Sequence, residues 1–224
     1  LQEAGYQTAF FGKWHMGDDS DDPQPGFHHW ESFKGQGVYT GVTLNINGEH
    51  TSYEDTVYTS DLLTEHAVEW MEQLESDQPF FVYLSHKAVH SNFKQAARHA
   101  GMYAGVDYEL PATYSQTQGD SYKDLLWPEW VKEQRHSWHG VDYMYHAKKA
   151  VGDLVVDYCE TLMGVDESIG TVMAYLEARG IADETVVIYM GDNGFSWGEH
   201  GLIDKRHFYE AVSYTHLTLP TSRS

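Results

Sequence analysis

Short apolar runs alternate along the chain with longer stretches in which apolar residues recur every three or four positions. Residues 6–11 (YQTAFF), 79–85 (PFFVYLS) and 185–190 (TVVIYM) are short and rich in aromatic and β-branched residues, which predicts strands. The second and third are continuously apolar, as is typical of strands buried on both faces. Residues 60–74 and 151–179 have helical spacing and predict two helices. We therefore expect an α/β fold in which crossover helices connect the strands of a sheet.

Turn signals mark the ends of several elements. Residues 1–4 look like the last turn of a helix that stops at Gly5. Residues 33–50 read as a glycine-rich loop followed by a small hairpin, because an Asn-Gly pair at 47–48 is a strong signal for a tight turn.

Three segments define the expected domain organisation. Residues 1–211 are predicted to form one partial domain, and 94–150 within it are irregular, polar and interrupted by prolines, so we interpret them as an insert that faces the substrate. Residues 212–224 open with an uncharged run that does not continue the preceding pattern. We interpret them as a non-native tail, although their alternation would also allow an ordinary strand. The chain starts without Met inside a helical pattern, so we expect the fold to be incomplete at both ends.

Composition narrows the possible partners. The chain has 34 acidic and 14 basic side chains and a formal charge of −20, which argues against nucleic acid and anionic membrane surfaces, because both bind basic proteins. No apolar stretch reaches the length of a membrane span. The single cysteine, Cys159, lies within a helical pattern without an acid–base partner nearby, so we interpret it as a packing residue.

Cationic and metal-ligating side chains follow each of the three predicted strands. These side chains are Lys13 and His15 after the first strand, His86, Lys87 and His90 after the second, and Asp192, Asn193, His200 and Lys205 after the third. In open α/β sheets, ligands bind beyond the carboxyl ends of the strands. The convergence of three strand ends on this edge predicts a functional site there.

The first strand end offers a binding site for an oxyanion. Lys13 and His15 are two residues apart, so in an extended backbone their side chains point to the same side. An ammonium and an imidazole placed together can hold negatively charged oxygens. The alternative is a surface lysine with its aliphatic stem packed down and a surface histidine.

The other two strand ends offer an acid and a cation site. His90 or His86 would protonate a leaving oxygen, and spacing alone does not choose between them. Asp192 and Asn193 supply two hard oxygen ligands for Ca²⁺ or Mg²⁺, although Asn-Gly is also a common turn and calcium needs six to eight ligands. Further ligands must therefore come from elsewhere.

Four motifs resemble those of the sulfatases, within the alkaline phosphatase superfamily. They are GYQTAFFGKWHMG (5–17), PFFVYLSHKAVH (79–90), GDNG (191–194) and GEHGLIDK (198–205). The resemblance covers most of residues 1–211 and implies an alkaline-phosphatase-like sheet sandwiched by helices. It also implies hydrolysis of sulfate esters.

The resemblance assigns roles to individual residues. Lys13 and Lys205 would hold the sulfate oxygens, and His200 lies in the same substrate-binding motif. His15 would contact the hydroxyl of the nucleophile, and His90 would be the general acid towards the departing alcohol. Asp192 and Asn193 would bind a divalent cation, usually calcium in this family.

One expected motif is absent from the chain. Sulfatases use a formylglycine made from the Cys or Ser of a Cys/Ser-x-Pro-x-Arg motif, and the 224 residues contain no such motif. The resemblance places it upstream, implies a formylglycine-generating enzyme as partner, and predicts that the chain alone is inactive. It also implies export to the periplasm or the cell exterior.

The substrate and the chemistry leave alternatives open. Trp127, Trp130, Trp138 and Tyr143 lie in the irregular segment, where their rings would stack on a sulfated carbohydrate or would simply pack. The rival functions are a phosphomonoester or phosphonate hydrolase of the same superfamily and a non-catalytic glycan-binding pseudoenzyme. Their discriminating feature is the identity of the nucleophile.

Overall fold

The computed structural model describes most of the chain as two compact units. The described residues are 1–17, 19–114, 128–133, 136, 140, 149–206, 209 and 212. The first unit comprises Leu1–Tyr103 and Asp157–Thr185, and the second comprises Ala104–Val156 and Val186–Ser224.

A five-stranded sheet forms the centre of the first unit. Its strands are β1 (Gln7–Gly12), β2 (His29–Ser32), β3 (Thr43–Ile46), β4 (Glu49–Ser52) and β5 (Phe80–Ser85), in the order β4-β3-β2-β1-β5. Strand β1 runs parallel to both β2 and β5, whereas β3 and β4 form an antiparallel hairpin. The carboxyl ends of three parallel strands therefore lie at one edge of the sheet.

The local signals at the start of the chain and in the hairpin predict the structure correctly. A short 3-10 helix, Gln2–Ala4, ends at Gly5, which has the left-handed conformation (φ 85°). Asn47 (φ 53°) and Gly48 (φ 100°) join β3 to β4 through a turn with two positive φ angles, as a tight hairpin requires. Strand β2 was not predicted from the sequence.

Two of the helices correspond to the predicted ones. Helix α1 (Thr59–Glu72) buries Leu63 and Ala67 in a core cluster with Phe11 of β1. Helix α2 (Glu129–Glu133) lies in the second unit, and the long helix α3 (Val151–Ala178) is followed by Gly180 with φ 69°. Within the ranges given above, none of the helices combines the length and apolarity needed to cross a membrane.

Aromatic side chains cover the opposite face of the sheet. Phe10 of β1 stacks on Trp30 of β2 with a centroid distance of 4.7 Å, and it meets the rings of Trp14 and Tyr83 edge-on, each at 5.3 Å. Phe10 and Trp30 are buried. This cluster fixes the segment that follows β1, because Trp14 lies directly between Lys13 and His15 in sequence.

The strand at 79–85 forms, but the prediction that it is buried on both faces is wrong. Among the described residues β5 pairs with β1 alone, so it lies at an edge of the sheet. Phe81 is 39% exposed and Tyr83 is 48% exposed, whereas Val82 packs against the core. A continuous apolar run therefore does not distinguish a central strand from an edge strand with one open face.

The predicted strand at 185–190 is wrong. These residues have no strand assignment, and their apolar side chains are exposed, including Val186 at 85% and Ile188 at 67%. A β-strand needs a neighbour for its backbone groups, and none of the described strands pairs with this segment. The second unit instead has a small antiparallel hairpin of β6 (Ser196–Trp197) and β7 (Ile203–Asp204).

Candidate active site

The close approach of β1 and β5 positions the first candidate residue, Lys13. Gly12 has φ 111°, and a Cβ atom at this position would lie 1.9 Å from the carbonyl oxygen of Ser85. Immediately after it, the Lys13 amide donates to that same oxygen (2.7 Å), and the Ser85 hydroxyl donates to the Lys13 carbonyl (2.9 Å). Glycine is required here, and Lys13 is anchored on both sides of its backbone.

A loop glutamine contacts both Lys13 and His15. The Lys13 Nζ atom donates to Gln36 Oε1 at 2.7 Å, and Gln36 Nε2 lies 3.3 Å from His15 Nδ1. Gln36 stands between Gly35 and Gly37, which both have positive φ angles. The ammonium and the imidazole thus lie within reach of one amide group, which is an arrangement that can hold a polar ligand.

His86 has the surroundings of a structural residue. Its Nε2 atom lies 2.9 Å from the Ser168 hydroxyl of α3, which in turn accepts a hydrogen bond from the Thr64 hydroxyl of α1 at 2.6 Å. Burial lowers the pKa of His86 to about 4, because desolvation penalises the charged ring. A histidine that stays neutral near pH 7 is a poor proton donor, and this favours His90 as the acid.

Two tyrosines hold the loop that carries His90. The Tyr39 hydroxyl donates to the His90 carbonyl oxygen at 2.5 Å, and the Tyr58 hydroxyl donates to the Lys94 carbonyl oxygen at 3.0 Å. His90 itself donates from Nδ1 to the Ser91 carbonyl at 2.7 Å. This bond fixes the orientation of the His90 ring. Because Nδ1 is engaged, Nε2 is the atom that can exchange a proton with a ligand.

An ion-pair network ties the end of the same segment to two helices. Arg98 makes a two-point contact with Asp61 of α1 (2.7 and 2.8 Å) and donates from Nε to Glu167 of α3 (2.7 Å). The buried His99 contacts the other oxygen of Glu167 at 2.8 Å. The segment from His86 to His99 therefore contacts α3 at both ends and α1 at the Arg98 end.

Asp192 and Asn193 lie exposed in the second unit. Asn193 donates from Nδ2 to the Gly194 carbonyl at 2.6 Å, so its amide nitrogen is engaged. Carboxylate and amide oxygens suit a hard divalent cation, but two ligands do not complete a site. Across the part of the chain that the structure describes, no group of three or more His, Cys, Asp or Glu residues could hold a metal ion.

His200 and Lys205 flank the hairpin of the second unit. His200 has a left-handed backbone (φ 54°), its ring stacks on Tyr209 at 4.1 Å, and its amide donates to the Thr113 hydroxyl at 3.1 Å. Lys205 is half-buried and follows Asp204 at the end of β7. Both residues are placed by a short turn rather than by a long strand.

The first unit thus contains Lys13, His15 and His90. The second unit contains the other four predicted site residues, Asp192, Asn193, His200 and Lys205. Of the aromatic residues considered for carbohydrate stacking, Trp130 is exposed on α2. Trp127, Trp138 and Tyr143 lie outside the described residues, as do residues 213–224 of the predicted tail.

Several residues that shape the site were missed by sequence reasoning. Gln36 could have been found from the sequence, because it is a polar residue between two glycines in a predicted loop. Tyr39, Arg98 and Ser168 have no such signal, because their partners lie 37 to 104 residues away in sequence. Cys159 is half-buried on α3, and burial raises the pKa of its thiol. Its interpretation as a packing residue stays a prediction.

The first unit is thus an α/β fold in which Lys13 and His15 follow β1 and His90 follows β5. The model of the family described as Sulfatase matches residues 1–216. The chain belongs to the sulfatase family.

Known proteins resemble the chain over most of its length. It is 30% identical to an N-acetylglucosamine-6-O-sulfatase of Bacteroides thetaiotaomicron, over 94% of the chain and 46% of that protein. It is 24% identical to the human N-acetylglucosamine-6-sulfatase, over 92% of the chain and 37% of that protein. The chain therefore spans about half the length, or less, of these curated relatives.

Solved structures support the fold. One is a protein in complex with its substrate D-glucosamine-2-N,6-O-disulfate, with a TM-score of 0.72, 28% identity, and coverage of 95% of this chain and 52% of that one. The yidJ protein of Bacteroides fragilis has a TM-score of 0.67 at 19% identity, over 94% of this chain and 46% of that one. The predicted alkaline-phosphatase-like α/β class is confirmed.

Proposed function

We propose that this chain is part of an enzyme that hydrolyses sulfate esters on an amino sugar, with N-acetylglucosamine 6-sulfate as the model substrate. The observation that carries the proposal is the arrangement of Lys13 and His15 around Gln36 at the carboxyl end of β1. The relatives named as N-acetylglucosamine 6-sulfatases support the choice of substrate.

In this proposal the residues of the first unit bind the sulfate and protonate the alcohol. Lys13 donates to the sulfate oxygens, whose negative charge the ammonium stabilises. His15 contacts the hydroxyl of the nucleophile. His90, with Nδ1 engaged by the Ser91 carbonyl, gives a proton from Nε2 to the oxygen that departs with the sugar.

The second unit supplies the remaining binding groups. Lys205 is a second ligand of the sulfate, and His200 contacts the substrate beside it. Asp192 and Asn193 would hold a divalent cation, for which calcium is our choice, together with ligands from outside this chain. Such a cation, when bound, supplies positive charge that stabilises the transferred group.

The nucleophile lies outside the 224 residues in this proposal. Sulfatases generally use a formylglycine, and the chain has no motif from which one could be made. We therefore propose that the motif precedes Leu1, that a formylglycine-generating enzyme modifies it, and that the protein is exported to the periplasm or the cell exterior. Relatives named as extracellular sulfatases support the location.

The test measures inorganic sulfate released from N-acetylglucosamine 6-sulfate. The chain alone, supplied with calcium, is expected to release none, whereas the chain joined to its own upstream coding sequence is expected to release sulfate. Lys13→Met in that longer protein is expected to abolish release, and Lys34→Met, at an exposed lysine of the neighbouring loop, is the matched control. Turnover by the chain alone would contradict the placement of the nucleophile.

The same assay separates the rival functions. Preferential release of phosphate from N-acetylglucosamine 6-phosphate would favour a phosphomonoesterase. Binding of the sulfated sugar by the longer protein without turnover would favour a glycan-binding pseudoenzyme.

A further inference from the structure

We infer that Lys87 is a third cationic ligand of the anionic group that Lys13 binds. This inference rests on the proposed function, because it adds one residue to the same binding site. Three observations support it: the position of Lys87 two residues after β5, its burial with no carboxylate paired to it among the described residues, and its contact with Tyr39.

The sheet register brings the segments that carry Lys13 and Lys87 to the same edge of the sheet. Strands β1 and β5 are parallel, and Gly12 is paired with Ser85 at their carboxyl ends. Lys13 is the first residue after β1, and Lys87 is the second residue after β5. The two hydrogen bonds between Lys13 and Ser85 hold these ends together.

Lys87 is buried, and the part of the chain that the structure describes pairs it with no opposite charge. The residue is only 8% exposed. Among the described residues, no carboxylate forms an ion pair with its ammonium. A buried lysine without a partner is rare, because the ammonium loses its hydration and gains nothing in return. An anion bound between Lys87 and Lys13 would supply the missing charge.

The aromatic ring of Tyr39 holds the ammonium in place. Lys87 Nζ lies 4.8 Å from the centroid of the Tyr39 ring, within the range of a cation–π contact. The hydroxyl of the same tyrosine donates to the His90 carbonyl. Tyr39 therefore connects the ammonium to the loop that carries the proposed acid.

The titration of Lys87 agrees with this geometry. Burial, and secondarily the positive charge of Lys13, lower the pKa of Lys87 to about 8. An anion between the two lysines would favour their charged forms, so binding should raise the pKa of Lys87. By linkage, the affinity for the anion should fall as the pH rises above about 8, where the unliganded Lys87 loses its proton.

The experiment follows the Cε signals of the chain labelled with [13C]lysine, titrated with sodium sulfate against sodium chloride of equal ionic strength. Lys13→Arg and Lys87→Arg assign the two signals. We expect both signals to respond to sulfate and the pKa of Lys87 to rise. Lys87→Met should weaken sulfate binding at pH 7 by about tenfold, the usual effect of losing one charge-assisted hydrogen bond. Lys94→Met is the matched control, since Lys94 is exposed and bonds Thr40.

The outcomes distinguish the role of Lys87 from the existence of the anion site at Lys13. If the Lys13 signal responds to sulfate while the Lys87 signal and its pKa do not change, the role of Lys87 is refuted and the site at Lys13 stands. If neither signal responds, the role of Lys87 is refuted and the anion site of the first unit fails with it. If Lys87→Met and Lys94→Met weaken binding equally, the effect is one of general charge, and the inference is also wrong.

Discussion

Replacing Gly12 by alanine should destabilise the chain through one specific steric conflict. The new Cβ atom would lie 1.9 Å from the carbonyl oxygen of Ser85 and 3.2 Å from a methyl group of Leu63. The first contact is with backbone, which cannot rotate away. Strands β1 and β5 must separate at this point, and the two hydrogen bonds between Lys13 and Ser85 must lengthen or break.

The expected loss has two parts. A positive φ costs a non-glycine residue about 1–2 kcal/mol, whatever its surroundings. Losing or weakening two hydrogen bonds adds about 1 kcal/mol each. The free energy of unfolding of Gly12→Ala should therefore fall by about 3–4 kcal/mol, the sum of the two parts.

A second glycine provides a control for the backbone strain. Gly17 has φ 114°, close to the 111° of Gly12, but a Cβ atom there would have nothing within 4 Å. Gly17→Ala should therefore cost only about 1–2 kcal/mol. Urea unfolding of the chain and both variants, followed by tryptophan fluorescence, measures the difference. Equal losses for the two variants would refute the close approach of β1 and β5.

Two further predictions concern pH and the exposed apolar segment. The pKa of His86 is lowered to about 4 from an ordinary 6.5, so the unfolded chain binds a proton that the folded chain does not, and stability should fall by up to about 3 kcal/mol as the pH drops through that window. Urea unfolding at several pH values should show a shallower dependence for His86→Gln, and an unchanged dependence would contradict its burial. Ile188 is 67% exposed, so Ile188→Lys should change the free energy of unfolding by no more than about 0.5 kcal/mol. A loss of several kcal/mol would mean that this segment is a buried strand after all.

Local signals in the sequence predict much of the fold. The Asn-Gly turn at 47–48, the glycine after α3 and the helical spacing in α1 are all properties of neighbouring residues, and each predicts the observed element. The run at 185–190 looks equally clear, yet it is exposed and unpaired. A strand depends on its partner, which no local pattern contains, and the same reason explains why the exposed face of β5 was not foreseen.

The candidate site, like the fold, could be predicted from the sequence only where neighbouring residues determine it. The order of Lys13, His15 and His90 after their strands is visible in the sequence, because each lies within a few residues of a predicted strand. The choice of His90 over His86 depends on the burial of His86, whose ring contacts Ser168 of α3, 82 residues away in sequence. The apolar stripe of α3 gave no indication that Glu160, Glu167 and Ser168 contact the segment from His86 to Tyr103.

The most direct test of the central claim is the dependence of His90→Gln on the leaving group. The measurement compares wild type and variant of the protein that joins this chain to its upstream sequence, on N-acetylglucosamine 6-sulfate and on 4-nitrophenyl sulfate. A sugar alcohol needs a proton as it departs, whereas 4-nitrophenolate does not. If His90 is the general acid, the variant should lose about 10²–10⁴-fold in kcat/KM on the sugar and much less on the aryl ester. Equal losses on both substrates would contradict the account.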